Sequence, residues 1–169
     1  MSTLSHSRVL WITGLSGAGK TTLAKALLPH LPDHPIFLDG DALRDVLHDV
    51  ATGFDVESRK KIGLTYARLA RLLALQGFTV VVATISLNHA IHAWNRENLP
   101  GYLEIFLDVP EEIRRKRDPK GLYKAHTRQM AGSETMVMFP KEPHITLRFP
   151  FDIDDAVLQI LAKLHESPS

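Results

Sequence analysis

The chain has 169 residues, 44% of them apolar and 23% charged, which fits one compact domain with its own core and excludes an intrinsically disordered chain. Twenty basic residues against nineteen acidic ones leave a net charge of +1, too balanced to imply a nucleic-acid partner. The absence of cysteine excludes disulfides, thiolate catalysis and cysteine-held zinc. No apolar stretch approaches the roughly 20 residues of a membrane span, and residues 1–7 are polar, without the apolar centre of a secretory signal. A cytoplasmic location without membrane contact is the expectation.

In chain order, Arg8 to Thr13 is a short apolar run ending at Gly14 and predicts a buried strand. A helix is expected from Lys20 to Leu28, stopped by Pro29, and a second strand at Ile36-Phe37-Leu38. Between Val56 and Gln76, Ile62, Tyr66, Leu69 and Leu73 recur at helical spacing, with Gly77 placed to end the helix. Phe78 to Ile85 predicts a third strand, Asn88 to Glu97 a helix, Leu103 to Leu107 a fourth strand, Ile145 to Phe149 a fifth, and Asp152 to His165 a last helix. Strands alternating with helices imply a parallel five-stranded sheet flanked by helices, the α/β class. The stretch from 118 to 144, punctuated by Pro119, Gly121, Gly132, Pro140 and Pro143, reads as a loop or lid on a single domain, the lid spanning about 111–144.

Charge is unevenly distributed. Between Asp33 and Glu57 seven carboxylates accompany one arginine, whereas between Glu111 and Met130 seven cations face three acids. An acidic segment suits a metal and a general base, and a basic one suits polyphosphate, although a charge run is ordinarily a solvated helix face.

Gly14-Leu15-Ser16-Gly17-Ala18-Gly19-Lys20-Thr21 fits G-x-x-x-x-G-K-[ST] at every fixed position, between an expected strand and an expected helix. Glycines allow the backbone N–H groups to turn inward around phosphate, and the helix that begins near Lys20 adds its positive end. In this motif Lys20 reaches the β and γ phosphates, and Thr21 offers a hydroxyl to Mg²⁺. Directly after the second strand comes Asp39-Gly40-Asp41-Ala42-Leu43-Arg44. The carboxyl ends of strands form the ligand crevice of an α/β sheet, which brings Asp39 and Asp41 beside the P-loop. There Asp41 suits proton acceptance from an attacking hydroxyl or placement of Mg²⁺, and Arg44 suits an anionic substrate. The same Asp-Gly-Asp is also an ordinary turn.

These stretches, with Ile85-Ser86 and Arg117-Asp118-Pro119-Lys120-Gly121-Leu122-Tyr123-Lys124, occur in an order and spacing that resembles the adenylyl-sulfate kinases. Those enzymes transfer the ATP γ-phosphate to the 3′-hydroxyl of adenosine 5′-phosphosulfate. The resemblance implies a P-loop kinase fold, Mg-ATP as cofactor, a small-molecule nucleotide substrate and a homodimer. It implies that Asp41 is the catalytic aspartate, with Lys20 on the transferred phosphate and Thr21 and Asp41 on the metal. Residues 14–21, Thr22 and Arg117 would hold ATP. Asp39, Arg44, Phe54, Arg59, Ile85, Ser86, Lys120 and Lys124 would meet the acceptor. Ser86 matches a serine sometimes described as a phosphoserine intermediate; direct in-line transfer needs no covalent step, so it reads as a positioning residue.

The chain also departs from the family pattern. Lys60-Lys61-Ile62-Gly63 follows Arg59, so Ile62 stands where a substrate-contacting Asn is usual, and Leu87-Asn88-His89 follows Ser86 where a proline is usual. A Phe-Thr-Gly-Ile-Asp segment is absent, with Gly132 to Phe139 in its place. Phosphate-handling parts are kept while base-reading parts are rebuilt, the pattern expected when the acceptor changes. Trp94-Asn95-Arg96-Glu97-Asn98-Leu99-Pro100 resembles a capsule-associated branch whose acceptor is a cytidine diphosphate derivative such as cytidine diphosphoramidate. Asn95 or Arg96 would read that acceptor there, unless the run is simply an amphipathic helix end. An ATP-binding switch or regulatory protein is the alternative of another class, against which no Asn-Lys-x-Asp motif occurs. His89 and His92, three apart, share a helix face without the third ligand a zinc site needs. Arg114, Arg115 and Lys116 read as a wet helix face.

Overall fold

The computed structural model describes residues 7–50, 53–117, 121 and 137–166. Five strands form one sheet: β1 (Val9–Thr13), β2 (Ile36–Asp39), β3 (Val80–Thr84), β4 (Leu103–Asp108) and β5 (Ile145–Arg148). Their order is β2-β3-β1-β4-β5, and every pairing is parallel. The helices are α1 (Lys20–Leu27), α2 (Gly40–Val46), α3 (Val56–Leu75), α4 (His89–Asn98), α5 (Glu111–Arg117) and α6 (Ile153–Glu166).

Alternation along the central strand divides the core. Leu10 and Ile12 of β1 join Val81, Ala83, Ile105 and Leu107 under α1 and α6, while Val9 and Trp11 join Val80 and Val82 under α2, α3 and α4. Both faces are covered, so all five residues of β1 and of β3 are buried, which is why these strands read as continuous apolar runs rather than as alternating ones. Burying one large aliphatic side chain contributes about 1.5–3 kcal/mol, and the two layers lock β1 in place. The turn that follows it, at the carboxyl edge, is thereby held on a fully buried central strand.

The strands and long helices fall where the sequence places them, within two residues at each end. Two short helices are additional. The Asp-Gly-Asp turn opens directly into α2, and the basic run begins as α5. Arg114 is not on a solvated face: it is 1% exposed, and its Nε donates to the Val109 carbonyl at 3.0 Å. Arg115 and Lys116 do face solvent, paired with Glu111 and Glu112 one turn back. Of the lid stretch, 118–120 and 122–136 lie outside the described residues. Residues 137–144 pack on the body: Met138 N–H donates to the Leu87 carbonyl at 3.0 Å, and His89 Nε2 lies 2.9 Å from the Phe139 carbonyl. Among the described residues no helix is long and apolar enough to cross a membrane.

Candidate active site at the carboxyl edge of the sheet

The loop between β1 and α1 takes its shape from three glycines for different reasons. A Cβ on Gly14 would lie 2.9 Å from the Leu107 carbonyl oxygen, and one on Gly17 would lie 2.8 Å from that of Arg114. Gly19 caps α1 at φ +99°, in the left-handed region that favours glycine. Leu15 is anchored beneath by Leu87 and Phe106, and Ala18 N–H donates back to the Leu15 carbonyl at 3.1 Å. Lys20 Nζ donates to the same carbonyl at 2.9 Å. Ser16 is buried and Thr22 exposed on the first turn of α1. The result is a ring of main chain at a helix N-terminus, suited to an anion.

The acidic turn at the end of β2 lies directly beside it. Thr21 Oγ1 donates to Asp39 Oδ1 at 3.1 Å, so the carboxylate that meets the loop hydroxyl is Asp39. Asp41 sits two residues on, exposed in the first turn of α2. Gly40 between them backs onto β3: a Cβ there would lie 3.1 Å from both the Ala83 carbonyl oxygen and Thr84 Oγ1. Tyr66 of α3, read from periodicity only as core, reaches this turn with its hydroxyl, which donates to the Gly40 carbonyl at 3.0 Å. Burial pushes the Tyr66 phenol up; Arg44 opposes that shift, and Asp41 and Asp39 reinforce it.

On the neighbouring strand end, Thr13 Oγ1 donates to the Ile85 carbonyl. Ser86 takes φ +32°, a left-handed conformation that costs a non-glycine residue on the order of 1 kcal/mol. Its Oγ lies 2.8 Å from Thr84 Oγ1. Its carbonyl is fixed by Asn88 N–H at 3.1 Å and by His92 Nε2 at 3.2 Å. His92 is thus used in holding this turn; its ring lies 6.2 Å from that of His89, centroid to centroid, and His89 itself holds the Phe139 carbonyl.

Past α2, the Arg44 guanidinium lies 4.4 Å from the centroid of the half-exposed Phe54 ring. Arg59 is held below the ordinary guanidinium value by burial and then by Arg44, with Asp55 opposing. Two cations close enough to repel, one partly buried, make a place where an anion is stabilised. On the other flank Arg117, at the end of α5, donates to the Gly17 carbonyl at 3.2 Å and lies 5.7 Å from the Phe149 ring centroid.

The structure therefore gathers Gly14 to Thr21, Asp39, Ile85, Ser86 and Arg117 along one edge, with Asp41, Arg44, Phe54 and Arg59 extending it. Lys120 and Lys124 lie outside the described residues. Asn95 and Arg96 do not join. Asn95 is fully buried, and Arg96 pairs with the buried Glu104 at 3.0 Å and with the Glu142 carbonyl. Glu104 is the second residue of β4, at the opposite end of that strand. The run from Trp94 is a helix end packed on the core, which removes it as an acceptor reader.

A Walker-type loop on the central strand of a parallel sheet, flanked by a carboxylate on its threonine, defines a P-loop nucleotide-binding protein. Residues 6–148 match the Adenylylsulphate kinase family, and the chain belongs to it. It is 36% identical over 179 aligned positions to the adenylyl-sulfate kinase of Vibrio cholerae, covering 98% of this chain and 82% of that one. It is 40% identical over 118 positions to the cytidine diphosphoramidate kinase of Campylobacter jejuni, covering 68% of each. The fold superposes with a TM-score of 0.84 on the Mycobacterium tuberculosis APS kinase in complex with AMPPNP and APS, at 30% identity over 96% of this chain and 99% of that one.

Proposed function

We propose that the protein transfers the γ-phosphoryl group of ATP to the 3′-hydroxyl of adenosine 5′-phosphosulfate, giving 3′-phosphoadenosine 5′-phosphosulfate, in the cytoplasm and as a homodimer. The observation that carries this reading is the Thr21–Asp39 contact beside the glycine ring, with Asp41 two residues further on the same edge. The backbone N–H groups of residues 14–19 and Lys20 hold the phosphates. Arg117, on the rim of that ring, adds charge toward the nucleotide. Asp41 orients and deprotonates the acceptor hydroxyl. Arg44 and Arg59 take the anionic end of the acceptor, Phe54 offers its base a ring face, and Ser86 positions the sugar.

The oxygen donors Thr21 Oγ1 and Asp39 Oδ1, 3.1 Å apart, fit Mg²⁺, which takes one or two protein oxygens and completes its shell with phosphate and water. Thr21 and Asp39 would hold it, with Asp41 within the same turn. When bound, Mg²⁺ neutralises charge on the transferring phosphate. The remaining chemistry is positioning and electrostatics supplied by the side chains above.

A second reading, transfer to a cytidine diphosphate conjugate, is favoured by Ile62. This residue is 8% exposed and built into the apolar layer beneath α3, so it offers no polar contact to an adenine. Incubation with Mg-ATP and either adenosine 5′-phosphosulfate or cytidine diphosphoramidate, followed by ADP release and product mass, tests both. Acceptor-dependent ADP is expected, reduced at least about a hundredfold in Asp41→Asn. Turnover with only the cytidine compound moves the protein to the second reading. No acceptor-dependent ADP sinks the phosphotransfer reading, whereas an Asp41→Asn variant as active as the parent removes Asp41 as its base.

A further inference from the structure

We infer that Tyr66 helps to position Asp41 by holding the Gly40 carbonyl, an inference that rests on the phosphotransfer reading above.

Asp41 belongs to a helix of seven residues whose N-cap, Asp39, makes no side-chain hydrogen bond to the helix it starts. One Asp39 oxygen is instead taken by Thr21. A short helix without a side-chain cap, whose one buried residue is Leu43, gains from a further hold on its first turn. The peptide immediately before Asp41 is gripped from two sides. On the sheet side, Gly40 lies so close to the end of β3 that a Cβ would crowd the Ala83 carbonyl and Thr84 at 3.1 Å. On the helix side, Tyr66 Oη donates to the Gly40 carbonyl at 3.0 Å.

The Tyr66 ring is 3% exposed and packed among Leu38, Leu43 and the apolar face of α3, a helix of 20 residues. That helix is anchored at its own start by Asp55, whose side chain accepts from Ser58 N–H at 3.0 Å. Asp41 is therefore registered against β3 and α3, the stiff elements around it. A carbonyl oxygen only accepts, so the grip requires a protonated phenol. Burial and the neighbouring carboxylates Asp39 and Asp41 both favour that state. Near-attack geometry is sensitive to displacements of about 1 Å, so releasing the grip acts on turnover more than on nucleotide affinity.

The test is a double-mutant cycle on the whole chain with Tyr66→Phe and Asp41→Asn, using adenosine 5′-phosphosulfate, or cytidine diphosphoramidate if only that supports ADP release. Folding of each variant is checked by circular dichroism and thermal unfolding. Tyr66→Phe is expected to lower kcat about tenfold, leave KM for Mg-ATP within twofold, and add nothing once Asp41 is already Asn. A merely structural hydroxyl would lower Tm with kcat intact well below Tm, or multiply its effect onto that of Asp41→Asn; either result overturns the inference. So does a Tyr66→Phe chain that fails to fold, because the hydroxyl is then a requirement of the fold. An Asp41→Asn variant as active as the parent removes the catalytic role of Asp41 and the inference with it. A damaging Asp41→Asn beside a silent Tyr66→Phe removes the inference alone.

Discussion

His92 shows how a single side chain joins stability to the site. It is 5% exposed, its Nε2 faces a carbonyl that only accepts, and its Nδ1 is buried without a hydrogen-bond partner. The ring is therefore neutral with the proton on Nε2. Burial, only partly offset by the Ser86 carbonyl, pushes its pKa down from 6.5 to about 4, with His89 and Arg96 adding to the shift. Between these two values the unfolded chain binds more protons than the folded one, so stability is whole above about pH 6.5 and falls as pH drops toward 4. At about 1.4 kcal/mol per unit, this one imidazole accounts for a loss of up to about 3 kcal/mol. Urea midpoints between pH 7.5 and 4.5 should fall less steeply in His92→Gln, whose amide still donates to Ser86 and does not titrate. Parallel curves for variant and parent would remove His92 as the source. The sequence offered His92 only as half of a metal pair, because its real partner, the Ser86 carbonyl, is main chain and leaves no mark in a residue pattern. The loop from Gly14 to Thr21 was legible for the opposite reason: wrapping main chain around an anion demands fixed residue types at fixed spacing.

The strands and long helices were equally legible, since apolar β-branched runs bounded by glycine and proline, and a 3.6-residue period across 20 positions, admit few alternatives. The charged seven-residue helices α2 and α5 carry no such period. Arg114 was misjudged because one buried arginine among four cations looks like its neighbours. Gly63 is a third hidden feature, a glycine in mid-helix whose purpose appears only when α3 meets α4. A Cβ at this position would stand 2.3 Å from Ile91 Cδ1 and 3.1 Å from Ser86 Oγ. Replacing a helical glycine by alanine ordinarily gains about 1 kcal/mol. Overpacking a core costs about 1–3 kcal/mol, and Ile91 is 1% exposed with nowhere to retreat. Gly63→Ala should therefore lower Tm despite the better helix former, and should also lower kcat by displacing Ser86. A raised Tm would show that Ile91 repacks without cost and that the close approach of the two helices is unconstrained.

Across the whole molecule, the carboxyl edge of the sheet is arranged for chemistry and the amino edge for cohesion, and Glu104 carries the second task. Its side chain is 1% exposed, with Arg96 of α4 at 3.0 Å from one oxygen and the Tyr102 hydroxyl at 2.7 Å from the other. Its main-chain N–H donates to His144 Nδ1 at 2.9 Å. Arg96 reaches on to the Glu142 carbonyl, so α4, β4 and the segment entering β5 meet at one buried carboxylate. Burial and the adjacent Glu104 raise the Tyr102 phenol far above its usual range, which keeps it a donor. Removing one member of such a pair leaves a charge without its counterion, at a typical cost of about 3–5 kcal/mol. Arg96 retains some access to water, its side chain being 37% exposed, which places Glu104→Ala near the lower end. Glu104→Gln keeps an acceptor for Tyr102 and the packing volume, and should lose less. Because Glu104 lies four residues before Asp108 along β4, roughly 13 Å at strand rise, KM for Mg-ATP should not change in either variant at temperatures where both remain folded. Denaturant unfolding beside steady-state kinetics separates the two effects. A weakened Mg-ATP interaction in fully folded Glu104→Gln would mean that the amino edge is coupled to the phosphate site, and that cohesion and chemistry are not divided between the two ends of the sheet.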